Sequence, residues 1–131
     1  MISLDANVLV RHTIRDDPDQ ARRADALINS LSRDNPGFVT DIVLAELWWV
    51  LTRSYHKTAR QVAGLIDRLL DIEAIHTQDP DLVTDALQAV VTQQADFADA
   101  LIVAVSLAHG CDQTRTFDAK ATNRAGMVGV D

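Results

Sequence analysis

The sequence predicts an α/β protein, a three-layer α/β/α sandwich around a central parallel sheet of four to five short strands. Three observations predict it. Short apolar runs alternate with longer segments of helical periodicity along the whole chain, the pattern of βαβ units. Two segments open with the same Asp-Pro helix start, Asp17-Pro18 and Asp79-Pro80. The run Met1 to Leu4 stops at a carboxylate, Asp5, and in open parallel sheets ligands bind at the C-terminal ends of strands. A length of 131 residues suits one domain, residues 1–131, and buries enough surface to dispense with disulfides.

The elements follow in order. Residues 2–4 read as a strand and 5–13 as a short helix or turn. Asp17 is the N-cap of the next helix, with Pro18 at its first position and Gln20 at its third. Ala24, Leu27, Ile28 and Leu31 recur at helical spacing to about Arg33, and Asn35-Pro36-Gly37 ends the run. Phe38-Val39 reads as a second strand. Thr40 or Asp41 caps a helix over 41–54 with a wide apolar stripe. Thr58 to Gln61 has capping-box spacing and opens a helix over about 58–71. Residues 72–75 read as a third strand. The Asp79-Pro80 helix runs to about Thr92, and Asp96-Phe97-Ala98-Asp99 opens another that stops at His109-Gly110. Arg115 to Phe117 is a short strand ending at Asp118, and Met127-Val128 is one more.

Composition narrows the function. Hydrophobic residues make up 47% of the chain, which marks a folded protein. One cysteine, Cys111, makes neither an internal bridge nor a Cys-rich zinc site. His12, His56, His76 and His109 lack metal-ligand spacing, and the five glycines form no phosphate loop. With no secretory leader or membrane-length apolar run, a soluble cytoplasmic protein is expected. A net charge of −7 argues against non-specific nucleic-acid binding, but not against a nuclease whose clustered acids are neutralised by Mg²⁺.

Four acids stand out. Asp5 and Asp118 end strands, Glu46 sits in an early turn of an apolar helix, and Asp99 lies one turn into its helix. Each has a structural reading alone: Asp5 and Asp118 as helix caps, Asp99 as support for a cap at Asp96, Glu46 as a solvent-facing residue. Together, at equivalent ends of one sheet, they suggest a shared site. Carboxylates crowded together raise one another's pKa unless a cation lies between them. Oxygen-only acidic sites suit Mg²⁺ or Mn²⁺, and such ions promote phosphodiester hydrolysis by water.

Leu4-Asp5-Ala6-Asn7, Leu44-Ala45-Glu46-Leu47, Asp96-Phe97-Ala98-Asp99-Ala100-Leu101 and Thr116-Phe117-Asp118, in this order, resemble the motif set of PIN-domain ribonucleases, in particular the VapC-type toxins of type II toxin–antitoxin systems. The resemblance covers nearly the whole chain and implies one PIN-like domain. It implies a Mg²⁺-dependent endoribonuclease, with Mn²⁺ as a substitute. Asp5 and Asp99 would be the principal metal ligands, Glu46 would ligate directly or through water, and Asp118 would complete the pocket. Asn7, Asp96 and Thr116 would support them. It also implies a homodimer and a cognate VapB-like antitoxin laid over the helices at 18–33 and 41–54. After Asp118 the chain departs from the pattern: Ala119, Ala121 and a short Gly-containing tail stand where bulkier apolar residues are usual.

Trp48 and Trp49 point about 100° apart on their helix, so one should be core; Trp49 falls three residues beyond Glu46 on the same side and is a candidate to stack on a base, simple packing being the alternative. Arg11 and Arg115 are candidate phosphate contacts, as are Arg15, Lys120 and Arg124. A second reading is a non-catalytic PIN-like domain that binds RNA or protein. A phosphatase wants a second aspartate where Asn7 stands, and a receiver domain wants an acidic pair and lysine that the chain lacks.

Overall fold

Five short parallel strands run through the fold, in two separate ladders. The computed structural model describes residues 1–131. In chain order the elements are β1 (Ile2–Ser3), α1 (Ala6–Ile14), α2 (Pro18–Asn29), β2 (Gly37–Val39) and α3 (Asp41–Trp49), which continues into a π-helical turn (Val50–Ser54). Then come α4 (Ala59–Leu70), β3 (Ile75–Thr77), α5 (Pro80–Gln93), α6 (Phe97–Ala108), β4 (Arg115–Thr116), α7 (Ala119–Arg124) and β5 (Val128–Gly129). The chain divides into two compact units, residues 1–57 with 68–78 and residues 58–67 with 79–131.

The first unit holds a three-stranded parallel sheet in the order β1-β2-β3. Ile2 pairs with Gly37, and Gly37 in turn with Ile75. The Leu4 amide extends the first ladder by donating to the Phe38 carbonyl at 2.9 Å. Gly37 sits where the backbone runs close to side chains: a Cβ there would meet the Leu31 Cδ1 at 2.8 Å and the Leu4 Cδ1 at 3.2 Å. Helix α1 packs on both α2 and α3. Leu4, Leu9, Val39, Leu44, Leu47 and Leu51 are buried in this unit.

The second unit holds the two-stranded parallel ladder β4-β5, with Arg115 opposite Val128 and Thr116 opposite Gly129. α7 packs on both strands, and α5 lies along α6 in the most extensive helix pairing of the fold. Val62, Ile66, Val83 and Phe97 are wholly buried here.

The α/β class with parallel strands agrees with the sequence reading, but the main sheet has three strands, not four to five. β1 finds its only partner in β2, and the two C-terminal strands pair with each other. Boundaries moved for local reasons. α2 ends at Asn29 and not near Arg33, because the Ser30 hydroxyl takes the Leu27 carbonyl at 2.6 Å and closes the helix. Leu31 still packs inside, which is why the apolar spacing outlasts the helix. The third strand is 75–77, not 72–75. The Asp71 and Ile72 amides bond back to Arg68 and Leu69, so a turn occupies the expected strand positions. Of the two caps expected for α3, the structure uses Thr40, whose hydroxyl accepts from the Val43 amide. The predicted helix over 41–54 widens at Val50, where the Thr52 hydroxyl takes the Trp48 carbonyl at 2.8 Å and the Tyr55 amide reaches Val50.

Candidate functional site

The acids are placed by capping chemistry. Asp5 follows β1 and caps α1, its Oδ1 accepting from the Ala6 amide at 2.8 Å. Asp96 caps α6, its Oδ2 accepting from the Asp99 amide at 3.2 Å. Asp118 caps α7, its Oδ1 accepting from the Lys120 amide at 2.8 Å. The Asp118 amide donates to the Thr116 hydroxyl at 3.0 Å, so Thr116 fixes the approach to that cap. Each cap uses one carboxylate oxygen and leaves the other without a hydrogen bond. The structural and the functional readings of these three residues are therefore compatible.

Asp99 and Glu46 differ, because their carboxylates cap nothing. Asp99 is half-buried in the first turn of α6, between the wholly buried Phe97 and the buried Ala100 and Leu101. Partial burial pushes its pKa up, and the negative charges of Asp96 and Asp118 push it further the same way. The second unit thus brings Asp96, Asp99 and Asp118 into one field. In the first unit, Glu46 is exposed on α3, and the helix it rides packs against α1, which Asp5 caps. Asn7 is exposed on the first turn of α1. It lines a groove of about 560 Å³ between α1 and α2 with Val8, Arg11, Gln20, Arg23, Ala24 and Leu27.

The candidate substrate contacts lie in both units. Trp48 is buried and Trp49 is 58% exposed on the Glu46 side of α3. Arg11 is held by Gln20, Asp16 and Tyr55, and the Tyr55 hydrogen bond, ahead of the nearby acids, pushes its pKa up. Arg115 donates to the Gly129 carbonyl at 2.9 Å, tying β4 to β5. Sequence reasoning gave Phe117 no role of its own. It is 89% exposed between β4 and the Asp118 cap. Leaving a phenyl side chain in water forgoes roughly 1.5–3 kcal/mol. The visible signal was a large apolar residue between a very short strand and an N-cap.

The PIN domain family matches residues 2–126, so that all four motif elements fall inside the match. The chain belongs to the PIN domain family. Comparison with curated proteins gave no match. PIN domains are as a rule metal-dependent nucleases, which makes a hydrolase the general class. The donor set of this PIN domain fits the family's ions: carboxylate oxygens, no soft ligand, and a repulsion at Asp99 that a cation would relieve. Within neither unit do three or more His, Cys, Asp or Glu side chains converge tightly enough to enclose an ion. No helix of the PIN domain is long and apolar enough to cross a membrane.

Proposed function

We propose that this PIN domain, spanning residues 1–131, is a Mg²⁺-dependent endoribonuclease, the toxin of a VapC-type toxin–antitoxin pair, with Mn²⁺ able to replace Mg²⁺. What supports the reading is the family match over residues 2–126, with the whole motif set in order inside it and with Asp99 in the field of Asp96 and Asp118. When bound, the ion supplies Lewis-acid chemistry and charge neutralisation at an RNA phosphodiester. Asp5, Glu46, Asp99 and Asp118 are the acids assigned to hold it. Asp96 anchors the N-terminus of α6 and so fixes Asp99, while Thr116 does the same for Asp118. Asn7 orients a neighbouring carboxylate or water, and Trp49, Arg11 and Arg115 contact the RNA.

As a toxin it works in the cytoplasm as a homodimer with a VapB-like antitoxin. The groove between α1 and α2, lined by both polar and apolar side chains, and the exposed Ile42 and Trp49 on α3 offer such a partner a mixed surface. Cleavage of a structured RNA tests the enzyme. We expect Mg²⁺-dependent new ends, abolished by EDTA and by Asp5→Asn, Glu46→Gln and Asp99→Asn separately. Cutting that survives both EDTA and Asp99→Asn would sink the reading. Co-purification with the product of a short neighbouring gene tests the antitoxin. The open spacing of the donors favours one competitor, a non-catalytic RNA- or protein-binding domain. Saturable RNA binding with no new ends in Mg²⁺ or Mn²⁺ would establish it.

A further inference from the structure

We infer that residues 115–124 form a platform for one unpaired RNA nucleotide, with the Phe117 ring stacked on the base and Lys120 and Arg124 on the flanking phosphates. The inference rests on the nuclease reading for its ligand, and on two independent observations for its place. The first is Phe117 itself. At 89% exposed it is the most solvent-exposed large apolar side chain in the protein, and it directly precedes Asp118. The two residues are consecutive at the start of α7, so a nucleotide stacked on the ring lies at the same helix N-terminus as the Asp118 cap. The backbone on either side is already fixed, by the Asp118 amide on the Thr116 hydroxyl and the Lys120 amide on Asp118 Oδ1.

The second observation is charge. The unit made of 58–67 and 79–131 contains only four Lys and Arg residues, and three of them, Arg115, Lys120 and Arg124, fall in this short segment. Lys120 and Arg124 are exposed four residues apart on α7, on one face, and neither has an ion-pair partner. Arg53, Lys57, Arg60 and Arg68 are likewise without an ion pair, so what sets this segment apart is the closeness of its cations in sequence to an exposed ring. An exposed aromatic ring among free cations is the equipment of single-strand binding. In a duplex both faces of each base are already stacked, so the substrate class is a single strand or a loop.

The test uses a mixed-sequence RNA of about eight nucleotides bearing 2-aminopurine, with the Asp5→Asn chain in Mg²⁺ to keep the RNA intact. Binding should quench 2-aminopurine at one position. Adding Phe117→Ala should weaken binding roughly 5- to 150-fold and abolish the quench, and Phe117→Trp should restore both. Lys120→Gln with Arg124→Gln should lower the salt slope of binding by about 1.4. A blunt duplex should bind weakly and be indifferent to Phe117→Ala. Unchanged affinity and quench in Phe117→Ala overturns the platform, as does a change confined to oligomeric state. Wild-type cleavage is scored separately. Cleavage with an indifferent Phe117 sinks the platform alone, and Phe117-dependent binding without cleavage sinks the nuclease alone.

Discussion

At the scale of residues, Asp99 and Asp25 show opposite electrostatics. Asp99 is held above the usual carboxylate range by burial and by Asp96 and Asp118. That raised value disfavours the folded state once the group ionises. The penalty is absent below the unfolded value of 3.8 and grows as pH rises through the folded one. Asp118→Asn should therefore bring the Asp99 titration down toward 3.8, seen by carboxyl NMR; an unmoved curve would remove the coupling. Asp25 is held low, first by the His12 hydrogen bond at 2.7 Å and then by Arg15. Its stabilisation is present above the unfolded value of 3.8 and is lost as pH falls through the lower folded one. Asp25→Asn should thus lower the Tm at pH 7, and the difference should close in strong acid. The family was legible in the sequence, because motif order needs no coordinates, and so was the capping role of Asp96, which is written within one helical turn. The exposure of Phe117 was not, since nothing local says whether an apolar residue beside a strand will find a cover.

Among the elements, the N-termini of helices were the most legible features, because a cap is written within four residues. The Thr58–Gln61 box is reciprocal as expected, with the Thr58 amide on Gln61 Oε1 at 3.0 Å and the Gln61 amide on Thr58 Oγ1 at 3.1 Å. Thr58→Ala should cost about 1 kcal/mol in urea unfolding. C-terminal ends and strand limits were less legible, as Ser30 and the turn at Asp71 show, because side-chain hydroxyls and pairing partners decide them. Phe97 gives the sharper test of the site. It is wholly buried between the Asp96 cap and Asp99. Phe97→Ala should cost about 3–5 kcal/mol, and Phe97→Leu should cost less while preserving metal response. Equal stability of Phe97→Ala and wild type would show that α6 is anchored by something else.

For the whole molecule, periodicity revealed the α/β class, but strand membership depends on distant partners, so one sheet was expected where two ladders form. The acidic balance makes a global prediction. Any ion that binds only the folded chain stabilises it by mass action, by about 2.7 kcal/mol at a hundredfold excess over Kd. Mg²⁺ or Mn²⁺ should raise the Tm, Asp99→Asn should erase most of that rise, and NaCl at matched ionic strength should not reproduce it. The helix caps also bear on how such a chain diverges. Asp5, Asp96 and Asp118 each anchor a helix start whatever else they do. A descendant released from catalysis would keep them to stay folded, and drift would reach Glu46 and Asp99 first. In a lineage of such proteins, those two positions and not the capping aspartates would report which members have fallen silent.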